Sequence, residues 1–210
     1  MMSKILLAVP TFETICTETY KSLWDMDKGG NEVVLECVSG YDCATARNQI
    51  AKLAVDRGAD YTFMVDSDVV VPRDALIHLL DGEYDVALGY CCQRNNYAGR
   101  TTIYRLRRDD GTDYYDYEPD SAYTTSELHS MAANGINKVR IHGGGMACAL
   151  IKTDVFRTLD YPWFYFVNYS NSSVLSEDLY FCELCKSKDI AISVDTRVGC
   201  GHRFTHIQWP

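Results

Sequence analysis

Two aspartates, Asp66 and Asp68, are the residues of this sequence whose type and spacing best suit chemistry. They directly follow the apolar run Tyr61–Val65, which has the length and composition of a buried strand. Because open α/β sheets bind ligands beyond the carboxyl ends of their strands, both carboxylates would project into such a crevice. Carboxylate oxygens suit Mg²⁺ or Mn²⁺, and these ions in turn bind diphosphates. The alternative interpretation is a solvated turn that precedes a helix at Pro72.

An alternation of strands and helices would position these aspartates. Short apolar runs bounded by turn residues predict strands, and apolar residues at helical spacing predict helices. Over the first 92 residues the predicted strands are 5–9, 33–38, 61–65 and 85–89, and the predicted helices are 18–24, 44–57 and 72–80. This βαβ series implies an α/β fold with a mainly parallel central sheet and helices on both faces.

The composition changes from residue 93 onward. Residues 93–138 are rich in Tyr, Asp, Arg and Asn, and Asp109-Asp110-Gly111 is a good hairpin turn. This region predicts a small β-rich insertion, because it has too few apolar residues for a core of its own. The patterns that follow predict strands at 139–142, 146–151 and 190–194, and helices at 154–159 and 176–187. We therefore expect one domain over residues 1–210.

Composition excludes some classes of function. The chain has 210 residues and a formal net charge of −9, so general binding of nucleic acid is disfavoured, although a local site for one nucleotide is not. No apolar run approaches the roughly 20 residues of a membrane span. The nine scattered cysteines favour reduced thiols in a cytoplasmic protein over a disulfide framework. Cys182 and Cys185 fall inside a helical pattern, which favours core positions over a zinc site.

Several segments, in order along nearly the whole chain, resemble GT-A glycosyltransferases, most closely the small family-2-like enzymes of bacteria and their phages. The segments are Ala46-Arg47-Asn48-Gln49-Ile50-Ala51, Asp60 to Asp68, Pro72, Gly143-Gly144-Gly145, Pro162-Trp163-Phe164, Ser176-Glu177-Asp178 and Gly201-His202. The resemblance implies a Rossmann-like GT-A domain, with a nucleotide-binding half at 1–92 and an acceptor half at 93–210. It further implies a hexosyltransferase-like enzyme that moves a sugar from a nucleoside-diphosphate sugar, UDP ahead of GDP, to an acceptor hydroxyl.

The same resemblance implies a metal site for Mn²⁺ or Mg²⁺. Asp66 and Asp68 match the pair that binds the metal–diphosphate, and His202 matches a late histidine ligand. Neutral imidazole is a reasonable ligand for Mn²⁺. His206 lies close by in sequence and is the alternative third ligand.

The resemblance also assigns the remaining site residues. Asp178 matches the base that removes the proton of the acceptor hydroxyl, and Glu177 could bind acceptor hydroxyls. Both carboxylates could instead only complement a helix N-terminus. The residues expected to bind the donor are Pro10, Thr11, Ser39, Arg47, Asp66, Ser67, Gly144 and Gly145. For Arg47 the alternative is a surface salt bridge, and Trp163 and Phe164 could stack on a sugar or belong to the core.

Two other functions compete with sugar transfer. A nucleotidyltransferase would also use paired carboxylates and a divalent ion. Such enzymes commonly begin with a glycine-rich basic loop, whereas residues 8–13 contain neither glycine nor a cation. A non-catalytic nucleotide-sugar-binding domain would keep the fold without turnover, and the presence of Asp66, Asp68, Asp178 and His202 argues against it.

Overall fold

A computed structural model of the protein describes residues 2–93, 99–106, 117, 119–169 and 174–203. In chain order its elements are β1 (Lys4–Thr11), α1 (Thr17–Asp25), β2 (Glu32–Ser39), α2 (Cys43–Asp56), β3 (Tyr61–Val65), β4 (Val69–Val70), α3 (Ala75–Asp81), β5 (Val86–Tyr90), β6 (Arg100–Tyr104), a 3₁₀ turn (Pro119–Ser121), β7 (Ala122–Thr124), α4 (Thr125–Ala133), β8 (Lys138–Arg140), β9 (Gly143–Gly144), β10 (Cys148–Lys152), α5 (Thr153–Thr158), β11 (Val167–Asn168), β12 (Val174–Leu175), α6 (Glu177–Ser187), β13 (Ile192–Gly199) and β14 (Gly201–His202).

A seven-stranded sheet in the order β2-β1-β3-β10-β5-β13-β8 forms the centre of the fold. Strands β10 and β8 run antiparallel to their neighbours, and the other five strands share one direction. The predicted α/β class with a mainly parallel sheet is therefore confirmed. The carboxyl ends of β1, β3, β5 and β13 lie at one edge, where α/β sheets of this kind bind ligands.

Alternate residues of the central strands pack on opposite faces of the sheet. In β1, Leu6 and Ala8 belong to a core with α2, α4, α5 and α6, whereas Ile5, Leu7 and Val9 belong to a core with α1 and α3. The helices therefore cover both faces, as the sequence predicts.

The ends of the helices follow from their capping residues. Asp42 accepts a hydrogen bond from Thr45 N at 3.0 Å and starts α2, and Gly58 follows the helix with a φ of +60°. Ser176 caps α6 at the predicted position. Because Asp, Ser and Thr oxygens satisfy the first helical N–H groups, these starts were readable from the sequence.

Three predicted elements have boundaries that differ from those of the structure by two to five residues. The helix expected at 72–80 begins only at Ala75, because Val69–Val70 form β4, which pairs with β14 at the other end of the chain. The last predicted strand, 190–194, runs instead over Ile192–Gly199, and the strand expected at 139–142 ends at Arg140. Hydrogen bonding between strands that are far apart in the sequence therefore determines where these elements begin and end.

The predicted β-rich insertion contributes strands β6 and β7 and also helix α4, which the sequence analysis did not predict. Strands β7, β6 and β9 form a three-stranded sheet. Helix α4 begins with a capping box, in which Thr124 and Glu127 bond each other's backbone N–H groups, and this Thr-x-x-Glu spacing is a signal in the sequence. The hairpin expected at Asp109-Asp110-Gly111 lies outside the described residues.

All nine cysteines lie in described parts of the chain and are free thiols. Cys182 and Cys185 are core residues, as predicted, and burial raises the pKa of Cys182 to about 12. Among the residues with described structure, none of the helices has the length and hydrophobicity that crossing a membrane requires.

The side chain of Asn48 joins α2 to the segment before α6. Its Nδ2 donates to the carbonyls of Ala44 at 2.9 Å and Phe164 at 2.7 Å. Its Oδ1 accepts from the backbone N–H groups of Trp163 at 3.0 Å and Phe164 at 3.2 Å. Phe164 is a core residue, and Trp163 packs against Phe156. Phe164 is therefore part of the core and not available to a sugar, whereas Trp163 is half-buried and packs against the edge of that core.

We expect Asn48→Ala to destabilise the protein by about 2–4 kcal/mol, because several buried backbone groups lose their partner. Urea denaturation would measure the free energy of unfolding. The matched control is Asn134→Ala, since the amide of Asn134 lies at the surface and bonds the Ser130 carbonyl. The control should change stability by no more than about 0.5 kcal/mol. Equal losses in the two variants would contradict the anchoring role of Asn48.

Candidate active site

The loop after β3 carries both predicted aspartates at the carboxyl edge of the sheet. Asp66 N donates to the carbonyl of Ala147 at 3.0 Å, and the Asp66 carbonyl accepts from Val69 N at 3.1 Å, which closes a turn. The carbonyl of Ser67 accepts from Cys16 N at 2.9 Å. Backbone bonds on both sides therefore fix the loop and the direction of its carboxylates.

The guanidinium of Arg47 gathers three of the site carboxylates. Nη2 donates to Asp66 Oδ1 at 2.8 Å, and Nη1 donates to Glu177 Oε1 at 2.9 Å. Nε lies 3.5 Å from Asp178 Oδ1, and within the described part of the chain neither of these two atoms makes a hydrogen bond. The Arg47 side chain is only 3% exposed, which rules out the surface salt bridge. The fixed fork of guanidinium donors suits this arrangement.

Burial and mutual repulsion set the charges of this cluster. Burial, assisted by the charge of Asp178, raises the pKa of Glu177 to about 7. Burial also raises the pKa of Asp66, although the Arg47 charge opposes that shift. Burial lowers the pKa of Arg47, but the charges of the three carboxylates outweigh it and leave that pKa above its usual value. An additional cation would therefore favour the ionised form of the carboxylates.

The structure brings Asp68 and His202 together, although 134 positions separate them, because β14 pairs with β4. His202 Nε2 lies 3.5 Å from Asp68 Oδ2, and Arg203 N donates to the Asp68 carbonyl at 2.9 Å. His202 Nδ1 lies 2.9 Å from the carbonyl oxygen of Cys92. A carbonyl can only accept, so Nδ1 carries the proton and Nε2 is directed toward the aspartate.

This pair fits a divalent metal ion by the chemistry of its donor atoms. A histidine that donates Nδ1–H to a backbone carbonyl has its ring orientation fixed for ligation through Nε2. Neighbouring ligands of an octahedral ion with bonds of about 2.1 Å lie about 3 Å apart, close to the observed separation of Asp68 and His202. In residues 2–93, 99–106, 117, 119–169 and 174–203, however, no three His, Cys, Asp or Glu side chains form a ligand cluster. The remaining ligands would be phosphate and water oxygens, as is usual for Mg²⁺.

The glycine run lies against Asp178 and strand β6. A Cβ on Gly145 would meet Thr102 Oγ1 at 2.6 Å and would lie 3.6 Å from Asp178 Oδ2. A Cβ on Gly144 would meet Ile103 Cδ1 at 2.8 Å. A larger residue at either position would therefore need its neighbours to move, and Thr102 and Asp178 both approach the backbone of Gly145 closely.

The other predicted donor-binding residues lie at the carboxyl ends of neighbouring strands. Thr11 pairs in register with Ser39 at the ends of β1 and β2, and Pro10 precedes Thr11. The hydroxyl of Thr11 donates to the Thr14 carbonyl at 2.6 Å, so it orders its own loop. Ser39 is exposed, whereas Pro10 is buried. His206 lies outside the described residues.

The sequence analysis missed two groups that organise the site. The carbonyl of Cys92 orients His202, and a backbone acceptor leaves no signal in the residue types. Asn48 directly follows Arg47 and was not singled out. An asparagine inside a predicted helix is unfavourable by propensity, and that could have indicated a special role.

Comparisons with known proteins support the fold. No protein-family model matches the sequence, and no curated protein matches it. Among solved structures, the crystal structure of A197 from STIV is similar with a TM-score of 0.62 and 17% identity, over 96% of this chain and 86% of that chain. The structure of the inositol-1-phosphate CTP transferase from T. maritima gives a TM-score of 0.45 and 10% identity, over 97% of this chain and 90% of that chain. The first likeness shows a shared fold, and the second is too low to support a conclusion.

Arg47→Met should destabilise the protein by about 3–5 kcal/mol at pH 8, because three carboxylates would lose their common buried cation. The folded-state pKa values of Asp66 and Glu177, which burial already raises, would rise further without the Arg47 charge. Raised carboxyl pKa values stabilise the folded state at low pH, and that contribution is lost as the pH rises through the folded-state value. The loss should therefore be smaller at pH 5, which urea denaturation at both pH values without divalent ions would measure.

The matched control for this experiment is Arg57→Met. Arg57 pairs with Glu36 at 2.5 Å, and its side chain is 42% exposed. A surface pair of this kind contributes at most about 1 kcal/mol, with little change between the two pH values. If Arg47→Met lost the same stability at pH 5 and pH 8, its charge would not be what holds the cluster.

Proposed function

We propose that this protein is a metal-dependent glycosyltransferase that moves a sugar from a nucleoside-diphosphate sugar to an acceptor hydroxyl. One observation carries the proposal: a histidine-aspartate pair and a second carboxylate cluster lie together at the carboxyl edge of a mainly parallel sheet. Asp68 and His202 form the pair, and Asp66, Glu177 and Asp178 surround Arg47. Both parts are needed, since one suits a metal–diphosphate and the other suits proton removal.

Asp68 and His202 would hold the ion, Mn²⁺ or Mg²⁺, and Asp66 would join them only once the ion is bound, because among the described residues the three side chains form no ligand cluster without it. When bound, such an ion supplies positive charge that stabilises a departing diphosphate. The chain itself orients these ligands through the Cys92 carbonyl and the backbone bonds of the Asp66 turn. We take His202 rather than His206 as the histidine ligand because of its contact with Asp68.

Asp178 is proposed as the base. Its side chain is 19% exposed, whereas that of Glu177 is 8% exposed and bonded to Arg47. Asp178 would accept the proton of the acceptor hydroxyl as that oxygen bonds to the anomeric carbon and the bond to the diphosphate breaks. Glu177 positions the guanidinium and through it the base.

The donor is proposed to be a UDP-sugar ahead of a GDP-sugar. Its nucleoside would lie at the ends of β1 and β2, around Pro10, Thr11 and Ser39, with Ser67, Gly144 and Gly145 closer to the phosphates and the sugar.

Nine free thiols suit a reducing compartment, which supports a cytoplasmic location.

The two competing functions make different predictions. A nucleotidyltransferase would need to bind a triphosphate, and the end of β1, Val9-Pro10-Thr11, offers neither glycines nor a cation for it. A binding domain without turnover would retain donor binding and lack transfer. The Asp178 carboxylate, which is 19% exposed and therefore within reach of an acceptor hydroxyl, favours an enzyme.

We expect a thermal-shift panel of UDP-, GDP-, CMP- and dTDP-sugars to show stabilisation by one donor only when MnCl₂ is present. At a donor concentration of about 100 times the dissociation constant, the melting temperature should rise by about 5–10 °C.

Asp68→Ala should lose this metal-dependent rise. Its melting temperature without ligand should stay within a few degrees of that of the unaltered protein, because the Asp68 carboxylate lies outside the Arg47 cluster.

Asp160→Ala is the control for that variant, since its carboxylate is 90% exposed and pairs with Lys188 at 3.7 Å. It should respond to donor and metal like the unaltered protein. An unchanged metal-dependent shift in Asp68→Ala would overturn the metal assignment. Equal shifts with and without MnCl₂ in the unaltered protein would overturn metal dependence itself.

A further inference from the structure

Strand β2 forms one edge of the central sheet, and its outer side is open. Among the residues that the structure describes, β2 pairs with β1 alone. The N–H of Glu32 donates to the Ser3 carbonyl at 3.0 Å, on the side of β1. Because alternate residues of a strand direct their backbone groups to opposite sides, the N–H and C=O groups of Val33, Leu35 and Cys37 point away from the sheet.

The two edges of the sheet differ in how they are protected from a further strand. Strand β8, at the other edge, has three residues and exposes Lys138 and Arg140. Short edge strands and positive charges are common protections of this kind. Strand β2 has eight residues in continuous register with β1, and it contains no lysine, arginine, proline or bulge. Its Val34 and Leu35 are 38% and 39% exposed, so β2 can accept another strand.

The charges of β2 restrict which strand can pair with it. The strand carries two charged residues, Glu32 and Glu36. The Glu36 carboxylate accepts from Arg57 Nη1 at 2.5 Å, so it has a partner within its own chain. A second carboxylate placed directly opposite either glutamate would be destabilising, because like charges across a strand pair repel.

We propose that β2 binds the β2 strand of a second copy of this protein, antiparallel to it, so that two central sheets join into one continuous sheet. In such a dimer the two-fold axis is perpendicular to the sheet and keeps every residue on its own face. Residues that lie opposite each other are therefore both odd or both even in number. Two registers use nearly the whole strand: residues 32–38 paired about Leu35, or residues 33–39 paired about Glu36.

The glutamates select the register that is centred on Leu35. The register about Glu36 would place the Glu36 carboxylates of the two copies directly opposite each other. In the register about Leu35, Glu32 lies opposite Val38 and Glu36 lies opposite Val34, so no like charges meet. The strand is thus complementary to itself, and this property favours a second copy as the partner.

The same register also satisfies the backbone. The two Leu35 residues exchange both of their outward-directed N–H and C=O groups, and Val33 exchanges its groups with Cys37 of the other copy. This gives about six hydrogen bonds between the copies. On one face of the joint sheet the side chains of these three residues from both copies form an apolar row.

The proposed dimer leaves both active sites open. Because the strands are antiparallel, the carboxyl ends of the two β2 strands, each at Ser39, point in opposite directions. The two sites therefore face opposite edges of the joint sheet, and the dimer does not depend on the reaction that they perform. One strand pair is a small interface, so we expect a dissociation constant of about 1–100 µM.

Sedimentation velocity of the full-length protein over a matching range of concentrations tests the dimer. Leu35→Lys should weaken association by about tenfold or more, because two lysines would lie opposite each other at the axis. Val34→Lys is the matched control, since Val34 is equally exposed but would face Glu36 of the other copy. This control should associate at least as strongly as the unaltered protein. Urea denaturation of both variants would show that they remain folded.

A cross-link tests the register itself. Opposite residues that exchange backbone hydrogen bonds have Cα atoms about 5.5 Å apart, which is within the range of a disulfide. Mild oxidation of Leu35→Cys should therefore give a covalent dimer on a non-reducing gel. Val34→Cys, which would face Glu36, should not exceed the background given by the native cysteines.

Three results would overturn the proposal. The first is a monomer at every concentration, and the second is equal association of Leu35→Lys and Val34→Lys. The third is an open series of larger oligomers, which would indicate that the acidic edge at β2 pairs with the basic edge at β8 of the next copy. If Leu35→Lys did not fold, the cross-link of Leu35→Cys would decide between dimer and monomer.

Discussion

The buried guanidinium of Arg47 is the interaction on which the rest of the site depends. Three carboxylates from two separate elements, the loop after β3 and the start of α6, meet at this one side chain. Without a cation between them, burial and repulsion would prevent such an approach. If all three carboxylates are ionised, three negative charges less one positive charge leave the cluster with two net negative charges, which matches the charge of a divalent ion. Arg47 thus brings the three carboxylates together but can neutralise only one of their negative charges.

A second constraint comes from the pairing of β14 with β4. These strands have two residues each, and their pairing returns the end of the chain to the loop that carries Asp68. The Cys92 carbonyl then fixes the proton of His202 on Nδ1. The relative position of Asp68 and His202 therefore depends on backbone groups from three distant segments, and the two side chains alone do not determine it.

Many of the strands and helices were predictable from the sequence because they depend on local patterns of residues. The run before Asp66 has the composition of a buried strand, and Ser176 marks the start of α6. The partners of Arg47 could not be predicted, because the same helix pattern allows this residue to face solvent, a phosphate or other side chains. Its burial depends on α6, which is 130 positions away from it. Helix α4 was missed even though its capping box at Thr124 is a local signal, because the polar composition around it favoured strands and turns.

Helix α2 connects the carboxylate cluster to the segment before α6 through two consecutive residues, Arg47 and Asn48. Successive residues of a helix point about 100° apart, so Arg47 can face the carboxylates while Asn48 faces the segment that carries Phe164. A displacement of α2 would therefore move the carboxylate cluster and the segment that carries Phe164 together. The helix thus fixes the position of one relative to the other. This explains why a buried arginine and a buried asparagine, both unfavourable choices for a helix face in the core, stand next to each other here.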